Sequence, residues 1–264
     1  VAPAFTEATG VDVIVEIVDF GQIRDQVQVA GPAGEGPDIF IGAHDWIGEL
    51  AANGVIAPID LGPKTSGFFG VALNAFSYEG ELYAVPYATE SVALYYNTDM
   101  VPEAPADWEA VRTACAAIDV ENCVGIPGGG EGPDAYHNYP FVSAFGGYIF
   151  AYDAATGYDP SDVGLDTPEA IEGVQFLADL VESGIVAPTN YDTAKNLFLE
   201  GNEAFWITGP WERGTLEGQD AVNWSVAQLP LVEGNVMRPF VGAQGFFLSA
   251  FSENTVVAQS FLLD

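Results

Sequence analysis

An α/β fold is the class this sequence predicts, and three observations carry the expectation. Short β-rich runs alternate with amphipathic segments through most of the 264 residues. Helices with recognisable caps and stops lie between those runs, and a hydrophobic share of 49% provides material for one large core or two smaller ones. The expected strands cover 11–18, 38–42, 83–87, 92–97, 204–208, 224–229 and 244–249. Their alternation with helices argues for lobes built on largely parallel sheets.

The first residues, Val1 to Phe5, read like the middle of a helix, and Asp264 falls inside another apolar-periodic segment, so the chain is expected to be a fragment of a longer one. A helix from Asp45 to Gly54 follows directly on the strand at 38–42, and its Ala43-His44-Asp45 junction is where open α/β sheets place recognition residues. From Trp108 onward, positions 108, 111, 115 and 118 fall on one helical face, which turns Cys115 inward. The clearest helix begins at Thr167-Pro168-Glu169, where Thr can cap and Pro fits the first turn, and it ends at Gly184. Its inward residues are expected to be Ile171, Val174, Leu177, Leu180 and Val181.

Charge narrows the function. Thirty-eight acidic against 6 basic residues leave a formal net charge of -32, a field that repels phosphate backbones, so nucleic acid is not an expected partner. Acidic residues spread along the whole chain read as a solubilising coat; a cation-binding surface is the other reading. The six basic residues, Lys64, Lys195, Arg24, Arg112, Arg213 and Arg238, are too dispersed for a basic patch. No run of about 18 apolar residues spans a bilayer, and the first residues lack the layout of a signal peptide. The two cysteines, Cys115 and Cys123, sit at a helix end and a strand start. A disulfide between them would indicate an oxidising compartment, and two unrelated buried thiols are the alternative.

Catalytic signatures are missing. The chain has no HExxH, GxSxG or Walker motif and only two histidines, so no metal and no cofactor is expected. The glycine run at 128–132 reads as a loop, and Asp153, Asp159, Asp162 and Asp166 have the spacing of solvated turns rather than of a calcium loop. What stands out is aromatic rings beside single acids: Asp45-Trp46, Glu90 after Tyr87, Asp134 with Tyr136, and Trp211-Glu212. Flat rings cover the C–H faces of a pyranose and carboxylates accept from its hydroxyls, a combination that suits a neutral sugar; any one ring alone reads first as ordinary core or surface filler.

Taken in order, several segments resemble the maltose-binding branch of the family 1 extracellular solute-binding proteins. They are 5–13, Gly36-Pro37-Asp38-Ile39, Ala43-His44-Asp45, Tyr83-Ala84-Val85-Pro86-Tyr87, Tyr96-Asn97, Gly146-Gly147-Tyr148, 163–166, Gly209-Pro210-Trp211 and Pro239-Phe240-Val241-Gly242. The resemblance implies a two-lobed fold of the type II periplasmic-binding-protein class, truncated at both ends. One lobe would take 1–88 with 243–264 and the other 89–242, with hinge crossings near 88–91 and 239–242. It further implies closure around a maltodextrin-type sugar, ABC-transporter permease subunits as partners, a monomer, no catalysis, and a periplasmic or extracellular location with anchoring through parts outside this chain.

Carried over by position, Asp45 resembles a sugar-hydroxyl ligand, Glu90 the acid at the hinge, Asp134 a family glutamate, Tyr136 a stacking tyrosine and Trp211 a stacking tryptophan. The chain departs from the pattern at Gly42, where the family has a tryptophan, and at Trp46, where it has an arginine. Trp46 is expected to stack in place of the lost ring, although it cannot replace a guanidinium donor. Two rival readings stand beside this one: a glycoside hydrolase using Glu90 and Asp134 as its carboxylate pair, and a receptor for another sugar or a cationic metabolite.

Overall fold

The computed structural model describes residues 1–118, 120, 122–128, 134–153 and 157–263. From the amino end, helices α1 (Ala2–Thr9) and α2 (Phe20–Ala33) precede strand β1 (Ile39–Ala43), α3 (Ile47–Ala52) and β2 (Ile56–Ala57). Next come α4 (Gly70–Ala75), the small hairpin of β3 (Ser77–Tyr78) and β4 (Glu81–Leu82), and β5 (Ala84–Glu90). Strand β6 (Ala93–Asn97), α5 (Trp108–Ala117), β7 (Val124–Pro127) and α6 (Ala135–Ala144) follow, then the hairpin of β8 (Ala151–Asp153) and β9 (Gly157–Asp159). The chain continues through α7 (Pro168–Glu182), β10 (Val186–Thr189), α8 (Tyr191–Leu199), β11 (Phe205–Thr208), α9 (Arg213–Glu217), β12 (Trp224–Ala227), β13 (Gly242–Ser249) and α10 (Thr255–Leu263). Two compact units result: Val1–Glu90 with Gly242–Asp264, and Ser91–Val241.

In the first unit the returning strand β13 organises the sheet. It pairs antiparallel with β1 on one side and with β5 and β2 on the other. Phe40, Ile47, Leu50, Phe76 and Phe247 form the core on this sheet, and Ile59, Leu61, Leu248 and Ala258 form a second cluster beneath α10.

The sheet of the second unit runs β10-β7-β11-β6-β12 and is covered on both faces. Leu94, Tyr96, Phe205 and Ile207 point to one face with Trp108, Phe141 and Leu180; Tyr95 and Trp206 point to the other with Ala194, Phe198 and Leu216. Alternate residues of β6 and β11 thus serve opposite layers, which is why both strands read as continuous apolar runs.

The expected parallel pairing is corrected by these registers. Only β10 with β7 and β11 with β7 run parallel among the described pairs, whereas β6, β12 and every partner of β13 pair antiparallel. The parallel pairs are those whose strands are joined by helical crossovers through α7 and α8, as parallel connection requires.

The expected strand at 11–18 does not form either. No described strand pairs with it, and Ile14 and Ile17 are 87% and 98% exposed; β-branched composition alone does not make a strand without a neighbour for its backbone groups. Helix α2 went unforeseen because Gly21, Gly31 and Pro32 interrupt its pattern, yet Asp19 caps it by accepting from the Gly21 amide.

Helix α7 is capped by Thr167 as expected, and Leu177, Leu180 and Val181 pack on the core as expected, but its buried face shifts in the first turns. Ala170, Gly173 and Leu180 face inward, while Ile171 and Val174 are exposed. Small residues win because α6 lies so close that a side chain at Gly173 would meet the Phe141 carbonyl at 2.6 Å and the Val142 Cα at 2.7 Å. Helix α5 keeps the expected face, with Trp108 and Val111 buried and Asp107 capping the Ala110 amide. Its far end is tied to β7 by a disulfide between Cys115 and Cys123, whose Cα atoms are 5.7 Å apart. Of the glycine run at 128–132, residues 129–132 lie outside the described residues.

Glu203, just ahead of β11, is fully buried, and neither carboxyl oxygen has a hydrogen-bond partner among the described residues. Gly125 makes room for it, since any side chain there would strike the carboxyl. Burial pushes its pKa up from 4.5 to about 8.

Because the folded state holds the Glu203 proton while the unfolded chain releases it, stability should fall as pH rises from 4.5 to about 8, by at most about 1.4 kcal/mol per pH unit from this group. Denaturant titrations of the native chain and Glu203→Gln should therefore diverge with rising pH in favour of the variant, and parallel curves would refute a buried neutral acid. Replacing both cysteines by serine should cost about 2–3 kcal/mol in the same assay, the value expected for so short a loop.

Candidate functional site

Acidic and amide groups gather at one end of the first unit's sheet. Strand β1 ends at Ala43 and turns through a 3-10 turn, His44–Trp46, that leaves Asp45 exposed. Ala43 lies opposite Gln244 of β13, and Gly242 lies opposite Glu90 of β5, so the three strands deliver Asp45, Gln244 and Glu90 to the same sheet end. Gln244 donates from Nε2 to Glu90 Oε1 at 3.1 Å, and its buried Oε1 has no partner among the described residues. His44 Nδ1 accepts from the Ala243 amide at 3.3 Å.

Trp46 does not act as the exposed ring expected of it. It is 8% exposed and lies in the core, 5.0 Å from the Phe20 ring centroid, with Gly42 directly against it; a side chain at Gly42 would meet its Cε3 at 2.7 Å. The two departures from the family pattern thus compensate each other: Gly42 makes the space that Trp46 fills.

The second unit brings Asp134, Tyr136 and Trp211 into one cluster. Asp134 caps α6, accepting from the His137 amide at 3.0 Å, and its other oxygen lies 2.8 Å from His137 Nδ1. Burial alone would raise the Asp134 carboxyl, but the hydrogen bonds and charge of His137 outweigh it and hold the group below its ordinary value. With the carboxylate as acceptor, Nδ1 is the donor of that bond. Nε2 is buried without a partner among the described residues. The Tyr136 ring lies 6.0 Å from Trp211 and 5.9 Å from Phe240, and His137 stands perpendicular to Trp211 at 5.9 Å.

Trp211 itself is thrown out by the turn at the carboxyl end of β11. Tyr95 donates from its hydroxyl to the Gly209 carbonyl at 3.0 Å, fixing that turn, and the indole folds back over Gly209, where any side chain would collide with it. The ring remains 39% exposed, whereas the next residue, Glu212, is only 4% exposed. Glu212 accepts from the Tyr191 hydroxyl at 2.6 Å and pairs with Lys195 at 2.9 Å. Burial, together with that hydrogen bond to Glu212, holds the Tyr191 phenol well above its ordinary value, so it keeps its proton.

An exposed indole over a glycine turn, a neighbouring tyrosine and an ionised carboxylate make a surface suited to a polyhydroxylated ring. Residues 1–263 match the profile described as bacterial extracellular solute-binding protein. The chain belongs to that family. A maltotriose-binding protein of Pyrococcus abyssi (strain GE5 / Orsay) is 33% identical over 91% of this chain and 53% of its own length. The galactooligosaccharide-binding protein of Bacillus subtilis (strain 168) is 28% identical over 94% of the chain and 61% of its own length, and the maltodextrin-binding protein MdxE of the same organism is 29% identical over 95% and 62%. The chain therefore spans roughly half to two thirds of the length of these relatives.

The clusters around Asp134, Trp211 and Glu90 also contain polar groups that are not aromatic-acid neighbours in sequence. His137, Tyr191, Lys195, Thr208 and Gln244 escaped the sequence reading. Lys195 alone carried a signal, as one of 6 basic residues in a chain with 38 acids. Among the described residues no group of three or more His, Cys, Asp or Glu is placed to hold a metal ion, and no helix is long and apolar enough to cross a membrane.

Proposed function

We propose that this chain captures a neutral oligosaccharide of the maltodextrin class, reversibly and without catalysis, as the extracytoplasmic receptor of an ABC importer. The observation that carries the reading is the half-exposed Trp211 ring, set at the end of β11 beside Tyr136 and the ionised Asp134. Pyranose C–H faces lie against such a ring, and the carboxylate accepts from the hydroxyls at the sugar's rim. Asp45 and Glu90 of the first unit are proposed as further hydroxyl acceptors; Trp46, being buried, is not among the proposed contacts.

Relatives named for maltotriose and maltodextrin favour an α-glucan. A relative named for galactooligosaccharide supports a galactose-containing oligosaccharide as the second reading. A pneumococcal relative, 27% identical, is named as a maltooligosaccharide ABC transporter solute-binding lipoprotein, which supports a transporter partner and a place outside the cytoplasm.

Calorimetric titration with maltotriose and with a galactotriose tests both readings. Saturable binding at about micromolar Kd or tighter, near -8 kcal/mol, is the expected result for one of them. Trp211→Ala should weaken that binding roughly tenfold or more while remaining folded. A folded native chain that binds neither sugar, or sugar shortened on incubation, would overturn the proposal.

A further inference from the structure

We infer that Tyr191 is a positioning residue for the proposed sugar platform: the buried Glu212–Lys195 pair orients its hydroxyl, and the hydroxyl fixes the Trp211 indole. The inference rests on the stacking role proposed for Trp211.

Consecutive residues of the 3-10 turn Pro210–Glu212 diverge, so that Trp211 reaches outward while Glu212 is buried. A carboxylate taken out of water needs compensating charge and donors. Helix α8 supplies both from one face, because Tyr191 and Lys195 are four residues apart. Lys195 Nζ lies 2.9 Å from Glu212 Oε2 and 3.2 Å from Oε1, and Tyr191 donates to Oε1 at 2.6 Å.

That donation settles the direction of every other bond at the phenol. A tyrosine hydroxyl has one proton to donate, and here it is directed to the Glu212 carboxylate. The remaining lone pairs can only accept, and they face the Trp211 Nε1–H and the Thr208 hydroxyl, the latter at 3.3 Å. The indole is then held at its N–H edge by Tyr191, while Gly209 lies beneath it. A ring ordered before the sugar arrives loses less side-chain entropy on binding. Removing the hydroxyl would leave the indole's surface intact and its orientation unfixed.

A double-mutant cycle isolates this role. Maltotriose affinity is measured by calorimetry for the native chain, Tyr191→Phe, Trp211→Phe and the double variant. Tyr191→Phe alone should weaken binding about tenfold, on the scale of one hydrogen bond. In the Trp211→Phe background the same change should stay within about twofold, because the group it acts through is gone. Equal losses in both backgrounds, or none in the native one, would overturn the inference while leaving the sugar reading standing. A ligand-free measurement decides the anchor independently: in nitrogen-edited NMR the Trp211 indole N–H, assigned by its disappearance in Trp211→Phe, should exchange slowly with water and exchange faster in Tyr191→Phe. Unchanged exchange would also overturn it. If the native chain binds no sugar, the sugar reading fails first, and the exchange result still reports whether Tyr191 holds the indole.

Discussion

The buried carboxylate of Glu212 is the constraint around which the second unit's candidate site is arranged. At 4% exposure it must be met by charge and by donors, and the amino-terminal turns of α8 provide Lys195 and Tyr191 for that purpose. Once those bonds are made, the phenol can only accept from the indole beside it, so the accommodation of an inward acid sets the attitude of an outward ring. The arrangement needs Gly209 at the turn and Thr208 at the strand end, which places its origin in the way β11 stops. Site and scaffold are here one piece of chemistry.

Close approach of backbone governs the rest of the second unit. Gly173 and Ala170 bring α7 onto α6, and Gly147 lies against Val142 and Ala170, so the helix whose first turn carries Asp134, Tyr136 and His137 is held by a neighbour in direct backbone contact. Gly125 performs a similar service for Glu203, whose carboxyl keeps its proton because burial raises it and no partner among the described residues compensates it. Two buried glutamates of the same unit thus differ in their partners: Glu212 has Lys195 and Tyr191, and Glu203 has none among the described residues.

Much of the fold was legible from local signals. The cap at Thr167 and the strands around 39–43, 84–90, 93–97, 205–208 and 242–249 were readable because each is a local matter of side-chain chemistry or apolar runs. Strand direction was not, since it depends on which distant segment lies alongside; β13 reverses the expected sense of the first sheet by returning from the far end of the chain. Ile171 and Val174 of α7 were misplaced because large apolar residues were counted where contact selects the small Ala170 and Gly173, whereas Leu177, Leu180 and Val181 lie on the core as read. At the candidate site, aromatic-acid neighbours flagged Asp134, Tyr136 and Trp211, whose proximity within one unit is a tertiary fact. Trp46 carried the same signal and lies in the core, since the ring's use depends on the empty space at Gly42. Tyr191 and His137 gave no signal because their roles come from partners 20 and 3 residues away in patterns that ordinary helices also show.

A neutral sugar is proposed to lie on Trp211. The most direct measurement follows the five tryptophan indole N–H resonances of the native chain while maltotriose is added. The Trp211 resonance should shift saturably, with the buried Trp46, Trp108 and Trp206 resonances changing far less. A saturable response confined to the other indoles, or none from a folded chain at millimolar sugar, would contradict it.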